Sequence, residues 1–264
     1  MIVTWYGAAG FRIEGEAACS GRVFLIDPYL GHSARAHAYA YDVGGASGIF
    51  VSHGHFDHMA SVPRIARQTG ATVYCSPRAR QALRRQGVRD AQLVAARDGD
   101  CFDRGAYAAR CFNSTHVRFD LPLILKTLLR SIPSIPRQIW RLGRLRHWPQ
   151  GQVLSWRFRL PGEGGRIIQH FGSAGWTEME LTRLTALDAP DVLLLPLQGH
   201  SRICHIAAHV VERLGPRLVV PHHHDDFYPP LSRAVDILPF VEAVRSRCPT
   251  TEVVVPTLGR SVAL

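Results

Sequence analysis

Four side chains of the types that bind metal ions lie within six residues of this chain, in an H-x-H-x-D-H run. They are His53, His55, Asp57 and His58. Residues two apart in an extended segment point the same way, so His53 and His55 can share one ion, while Asp57 and His58 begin a second site. Imidazole and carboxylate ligands together suit zinc, manganese or iron, and positions filled by water make a site catalytic. A merely solvated loop would need this spacing to arise by chance.

The flanking residues predict the elements that must position this loop. Residues 48–52 (GIFVS) are typical of a short apolar strand. Residues 61–67 predict a helix with Ser61 as its N-cap and Pro63 in its first turn. The ligands therefore lie in a loop between a strand end and a helix start.

The rest of the chain predicts an α/β fold. Residues 153–160 and 166–171 predict two strands paired across a glycine-rich turn. After them, strands and helices alternate. We predict helices at 177–187, 203–214 and 234–246, and strands at 191–195, 217–220 and 252–255. Polar loops follow two of these strands, at 198–200 and 222–226.

Composition limits the class of protein. The chain has 264 residues, 46% of them hydrophobic and 20% charged, which suits one globular domain over residues 1–264. The first predicted strand begins at Ile2, and no apolar stretch approaches the roughly 18 residues that span a bilayer. Six cysteines occur without a C-x-x-C spacing, so neither a disulfide framework nor a thiolate metal site is indicated. We expect a cytoplasmic protein.

Residues 121–150 form an unusual basic segment. Its basic residues are Lys126, Arg130, Arg137, Arg141, Arg144 and Arg146, and it has no acidic residue, so it carries +6 of the chain's formal net charge of +10. The pattern predicts two amphipathic helices separated by Pro133 and Pro136, in an inserted hairpin. Three roles remain open: a pair docked on the core or in a homo-oligomer contact, a lid or peripheral membrane anchor, or a site for a soluble anion.

Beyond these patterns, the chain resembles metallo-β-lactamase-fold hydrolases, and within them the branch that contains L-ascorbate-6-phosphate lactonase. The resemblance is carried by residues 2–6 and 11–13, residues 25–30, the metal loop, Thr115 and His116, and the runs FGSAGW (171–176), LPLQGH (195–200) and PHHHDDF (221–227). It implies a four-layer αββα sandwich with the metal site at one edge between two sheets.

The same resemblance implies a set of metal ligands. His53, His55 and His116 match the first metal, and Asp57 and His58 match the second. A last histidine follows a proline by two residues and precedes a phenylalanine by four, which selects His223 over His222 and His224. The family's bridging aspartate, in a Gly-Asp-x-Gly turn, is Ser173 here. Three outcomes remain open: the site binds one metal, it binds two metals bridged by hydroxide, or Asp225 or Asp226 replaces the missing carboxylate. Asp27 is a candidate hydrogen-bond partner of the ligands.

These features together predict metal-dependent hydrolysis of an ester, lactone or phosphodiester by a metal-bound hydroxide, with one or two ions, zinc before manganese or iron. Asp57 would orient the hydroxide, and His200 would protonate the leaving group. The lactonase branch also resembles N-acyl-phosphatidylethanolamine phospholipase D, which favours a phosphorylated or lipid-like small substrate. A metal-dependent nuclease is an alternative, although nucleic acid is disfavoured because the charge is confined to one apolar-rich segment. A non-catalytic metal-binding or regulatory protein is the other alternative.

Overall fold

The computed structural model describes residues 1–15, 22–31, 41–131, 148–162, 165–229 and 232–264. The β-strands of these ranges are β1 (Ile2–Gly7), β2 (Gly10–Glu14), β3 (Val23–Ile26), β4 (Ala46–Phe50), β5 (Thr72–Cys75), β6 (Leu93–Ala95), β7 (Cys101–Asp103), β8 (Ala108–Ser114), β9 (Val153–Leu160), β10 (Arg166–Phe171), β11 (Val192–Pro196), β12 (Leu218–His222), β13 (Glu252–Val253) and β14 (Ser261–Ala263). The α-helices are α1 (Phe56–Met59), α2 (Val62–Thr69), α3 (Pro77–Arg85), α4 (Leu121–Ser131), α5 (Glu178–Thr185), α6 (Ile203–Leu214) and α7 (Leu238–Arg247).

The strands form two mixed sheets. The first has the order β14-β1-β2-β3-β4-β5-β6, and the second has the order β13-β12-β11-β10-β9-β8-β7. Neighbours from β3 to β6 in the first sheet and from β10 to β13 in the second are parallel, and the other neighbours are antiparallel. Parallel strands present their carboxyl ends at one edge of a sheet, and loops at that edge can meet to form a site.

Strands buried on both faces explain the continuous apolar runs in the sequence. In β3, Phe24 and Ile26 belong to the core between the sheets, whereas Leu25 belongs to the core under the helices of the first sheet. In β11, Val192 and Leu194 face the inter-sheet core. The intervening Leu193 and Leu195 pack under the helices of the second sheet. Such strands lose the polar-apolar alternation of half-exposed strands.

Three buried cores separate four layers. The central core holds an aromatic cluster that includes Phe50, Trp156 and Phe158. Helices α1, α2 and α3 cover the first sheet with residues such as Met59, Ile65 and Leu83. Helices α5, α6 and α7 cover the second sheet with residues such as Leu184, Val211 and Phe240. The fold is the α/β fold that the sequence patterns predicted, in the αββα arrangement that the resemblance implied.

Predicted element boundaries match the structure best where apolar runs are long. The pair β9 and β10 and helix α6 have the bounds that the sequence predicts. The helix predicted over 234–246 begins later, at Leu238, with Pro239 in its first turn. Proline is favoured there because its missing N–H is not needed in the first turn of a helix.

Of the predicted basic hairpin, residues 121–131 and 148–150 lie within the described residues. Helix α4 covers Leu121–Ser131. The second predicted helix, with Arg137, Arg141, Arg144 and Arg146, lies outside them. Among the helices that the structure describes, none has both the length and the apolar character that crossing a membrane requires.

Candidate metal centre

The candidate ligands lie in loops that leave one edge of the two sheets. His53 and His55 follow β4, and Asp57 and His58 lie in α1. His116 lies two residues after the end of β8, and His223 directly follows β12. Their side chains gather into two groups, each with its candidate ligand atoms within 4.8 Å of one another.

The three-histidine group consists of His53, His55 and His116. His53 Nε2 lies 3.1 Å from His55 Nδ1. The His116 ring centroid lies 5.1 Å from that of His53 and 4.7 Å from that of His55. His53 is buried, while the other two are partly exposed. One side of this group is therefore open to a substrate.

The aspartate group consists of Asp57, His58 and His223, all buried. Asp57 Oδ2 lies 3.4 Å from His58 Nε2 and 3.3 Å from His223 Nε2. The rings of His58 and His53 have their centroids 4.0 Å apart, so the two groups are direct neighbours.

Hydrogen bonds behind the ligands leave nitrogen lone pairs free. His58 Nδ1 donates to Asp27 Oδ2 over 2.8 Å, which leaves Nε2 unprotonated in the neutral ring. Ser52 Oγ donates to the same carboxylate over 2.5 Å and lies 3.0 Å from His53 Nδ1. His53 Nδ1 then donates to Ser52, so its Nε2, 3.1 Å from His55 Nδ1, carries no proton in the neutral ring.

Two further ligands are fixed in the same way. His116 Nδ1 donates to the Val117 carbonyl over 2.9 Å. His223 Nδ1 donates to Gln198 Oε1 over 3.1 Å. Asp27 is the partner that the sequence predicts, whereas Ser52 and Gln198 are further partners that were not predicted. Gln198 meets His223 only because β11 and β12 are adjacent in the sheet.

Tight backbone contacts bring the loops together. A Cβ on Gly172 would lie 2.0 Å from Ser52 Oγ, and one on Gly175 would lie 2.3 Å from the His116 carbonyl oxygen. His223 has φ of 57°, in the left-handed region. Its N–H donates to the Ala8 carbonyl over 2.9 Å, which holds this unusual conformation.

The turn expected to carry a bridging aspartate carries a buried serine. Ser173 Oγ accepts the Val117 N–H over 3.0 Å. The two acidic residues considered as substitutes have other partners. The Asp225 carboxylate accepts the Ala8 N–H at 3.0 and 3.1 Å. Asp226 accepts from Ser232 Oγ over 2.6 Å.

The two groups differ in their protonation. Burial lowers the pKa of His53, His55 and His116, that of His55 to about 4. These imidazoles are therefore neutral at pH 7. Burial also lowers the pKa of His58, but the charges of Asp57 and Asp27 outweigh it and raise this pKa to about 10. Burial raises the pKa of Asp57, but His58 and His223 outweigh it and hold this pKa well below its usual range.

His200, the predicted proton donor, belongs to neither group within the described residues. Its Nδ1 accepts the Arg202 N–H over 3.0 Å and lies 3.8 Å from Asp120 Oδ2. Asp120 in turn accepts from the N–H and the hydroxyl of Ser201. The loop of His200 packs against Val117, because a Cβ on Gly199 would lie 2.6 Å from Val117 Cγ1.

Both groups fit a divalent metal. Ligands about 2.1 Å from a tetrahedral ion are about 3.4 Å from each other. The measured separations of 3.1, 3.3 and 3.4 Å between candidate ligand atoms are close to this value.

The end of the basic segment lies on the metal loop. Gly54 N donates to the Gln150 carbonyl over 2.8 Å, and a Cβ on Gly54 would lie 2.0 Å from the Pro149 oxygen. The segment therefore returns to the loop between His53 and His55.

Comparison with known proteins defines the class. Residues 22–224 match the family described as a β-lactamase superfamily domain. The chain belongs to this superfamily and, more narrowly, to the UPF0173 metal-dependent hydrolases. It is 30% identical to such a hydrolase from Myxococcus xanthus, over 99% of this chain and 83% of the relative. Identity to one from Chloroflexus aurantiacus is also 30%, over 100% of this chain and 97% of the relative. It is therefore a metallo-hydrolase of this superfamily.

Solved structures share the fold. Igni18, a metallo hydrolase from Ignicoccus hospitalis, superposes with a TM-score of 0.69 at 20% identity, over 99% of this chain and 97% of that one. CmlA, a diiron β-hydroxylase from Streptomyces venezuelae, superposes with a TM-score of 0.67 at 15% identity, over 100% of this chain and 54% of that one. At these identities, the likeness concerns the fold.

Proposed function

We propose that this chain hydrolyses an ester, lactone or phosphodiester bond at a centre formed by the three-histidine and aspartate groups. The observation that carries this proposal is the meeting of six ligand side chains, from three separate parts of the chain, in two adjacent groups. The hydrogen bonds behind His53, His58, His116 and His223 support it, because each occupies one ring nitrogen and leaves the other as the candidate ligand atom, which in His58 must first lose a proton.

A divalent metal bound there would supply nucleophilic hydroxide near neutral pH by lowering the pKa of water, and it would polarise the oxygen of the bond attacked. Asp57 would accept a hydrogen bond from the attacking group and orient it. His200 would assist the leaving group: its Nδ1 accepts from Arg202, so the proton of the neutral ring is on Nε2, which would donate a hydrogen bond to the leaving-group oxygen.

We propose zinc as the first choice of metal, with manganese or iron as alternatives. Three neutral imidazoles are a common catalytic zinc ligand set. Two histidines and one carboxylate also suit iron, so the aspartate group is the less selective of the two. Elemental analysis of the purified protein distinguishes these metals.

We propose a phosphorylated or lipid-like substrate, as the resemblance to the L-ascorbate-6-phosphate lactonase branch implies. The exposed apolar residues of helix α4 support a substrate that is amphiphilic. Leu121, Leu125 and Leu129 are 73%, 59% and 70% exposed, and Ile124 and Leu128 lie on the same face. This apolar stripe begins next to Asp120, which binds the loop of His200.

The test of hydrolysis is a screen of phosphodiester, lactone and phospholipid substrates with metal-loaded protein. We expect turnover of at least one class, and loss of turnover in His55→Ala. His205→Ala is the matched control, because His205 is an exposed histidine of α6 outside both groups. Absence of turnover on all three classes by protein shown to contain metal would contradict the proposal.

We further propose that the α4 stripe contacts an anionic phospholipid surface. The formal charge of residues 121–150 is positive without an acidic residue, which complements anionic lipid. Leu125→Gln with Leu129→Gln should reduce co-sedimentation with phosphatidylglycerol vesicles. Leu238→Gln is the control, because Leu238 is 56% exposed on α7. Unchanged vesicle binding, or a dimer that dissociates in the double variant, would instead assign the stripe to another role.

A further inference from the structure

The six ligands of the proposed centre bring only one negative charge to two metal ions. They comprise five histidines and one carboxylate, Asp57. Two divalent ions bring four positive charges, so three remain after Asp57, and two after one hydroxide. Excess charge of this size in a buried site raises the free energy of binding a second ion.

Other nearby carboxylates in the described residues do not supply the missing charge. Asp27 accepts from the backbone and side chain of Ser52 and from His58, behind the ligands. Asp225 accepts the Ala8 N–H, and Asp226 accepts from Ser232. None of the three belongs to either ligand group in the described residues.

Ser173 occupies the turn that touches both groups. On one side of it, Gly172 lies against Ser52 and Asp27, which support the aspartate group. On the other side, Gly175 lies against the backbone of His116. Ser173 Oγ accepts the Val117 N–H, so its own O–H remains to donate. A neutral donor attracts an oxyanion, whereas a carboxylate in this turn would repel one.

We propose that a phosphoryl oxygen of the substrate takes the bridging position and that Ser173 makes binding of the second metal ion depend on it. This inference rests on the proposed hydrolase centre. A phosphoryl group carries the charge that the protein lacks, and the Ser173 hydroxyl donates to it. The second ion and the phosphoryl group therefore bind cooperatively, and each raises the affinity of the other by the same factor.

The test is equilibrium dialysis of metal-free protein against zinc, with elemental analysis, in three media: no added anion, inorganic phosphate, or dimethyl phosphate. Wild-type protein should bind one equivalent without anion and a second at least about tenfold more tightly with a phosphoryl anion. An effect of dimethyl phosphate indicates recognition of a diester substrate, and an effect confined to inorganic phosphate indicates recognition of a product or monoester. Chloride at equal ionic strength is the control.

Two variants localise the effect. Ser173→Asp should bind two equivalents without anion and lose the dependence on phosphate, because the carboxylate supplies the bridge. In Ser173→Ala, binding of the second equivalent should still depend on phosphate, but a higher phosphate concentration should be needed for the same increase in zinc affinity. The inference is overturned if wild-type protein binds two equivalents equally tightly in all media, a result that needs no variant to fold. Failure to bind even one equivalent would instead overturn the proposed metal centre.

Discussion

The two ligand groups lie side by side but differ in how they are prepared for a cation. The three-histidine group is neutral at pH 7 and partly open, since burial lowers the pKa of each of its imidazoles. The aspartate group is buried and holds a charged pair, because Asp57 and Asp27 raise the pKa of His58 to about 10. One group can accept an ion directly, whereas the other must first lose a proton. Adjacent sites of similar size can therefore differ in affinity.

The largest expected effect comes from His55→Ala. This change removes one of three ligands from the group that we expect to bind the tighter ion. We expect the metal content to fall by at least one equivalent and turnover to fall about a thousandfold or more. Native mass spectrometry measures the metal, with His205→Ala as control. A variant that keeps its full metal content would contradict the assignment of the tighter ion to the three-histidine group.

Asp57→Asn should have the next largest effect, and on the other group. The amide keeps the shape of the side chain but removes the one carboxylate among the six ligands. We expect the second equivalent of zinc to be lost even with phosphate present, while the first equivalent is retained. Equilibrium dialysis measures both. Loss of the first equivalent instead would show that the groups are not independent.

Gln198→Leu sharpens the comparison with a smaller change. Gln198 accepts from His223 Nδ1, so the leucine leaves the His223 ring without its orienting partner. Loss of such a partner typically lowers metal affinity about 10- to 100-fold. We expect this loss at the second equivalent only. Equal weakening of both equivalents in zinc titrations would contradict the assignment of His223 to the aspartate group.

The smallest effect is on pH dependence. The pKa of His55 is about 4, so binding of the first equivalent should be nearly independent of pH between about 6 and 8. Because His58 is protonated in the metal-free protein, the second equivalent should release about one proton and bind more tightly as the pH rises. Calorimetry in buffers of different ionisation enthalpy counts the protons. Equal proton release for both equivalents of zinc would contradict the proposed difference in protonation between the two ligand groups.

Much of the fold could be predicted because its strands are buried on both faces and so form continuous apolar runs. Short edge strands escaped this reasoning. Strand β7, Cys101-Phe102-Asp103, has too few residues to show a period, and pairing with β8 defines it. Helix α7 was predicted too long because residues 234–237 suit a helix locally. Pro239 favours a position in the first turn, so the helix begins at Leu238.

The candidate ligands were accessible from sequence because their spacing within one loop is local, and the positions of His116 and His223 followed from the resemblance. The structure brings His223 into the aspartate group. It instead buries His222 between the sheets, stacked on His170 with ring centroids 5.2 Å apart. The contacts of Gln198 and Ser52 could not be predicted, because they depend on which loops meet after the sheets have paired.

The two ends of the basic segment are held in place: Asp120, directly before it, accepts the Ser201 N–H in the loop of His200, and Gln150 accepts the Gly54 N–H in the metal loop. Between fixed ends, doubling the length of a loop costs only about 0.6 kcal/mol. Changes of length between Asp120 and Gln150 should therefore leave the ligand loops in place, and a segment grafted into this stretch should keep these two junctions.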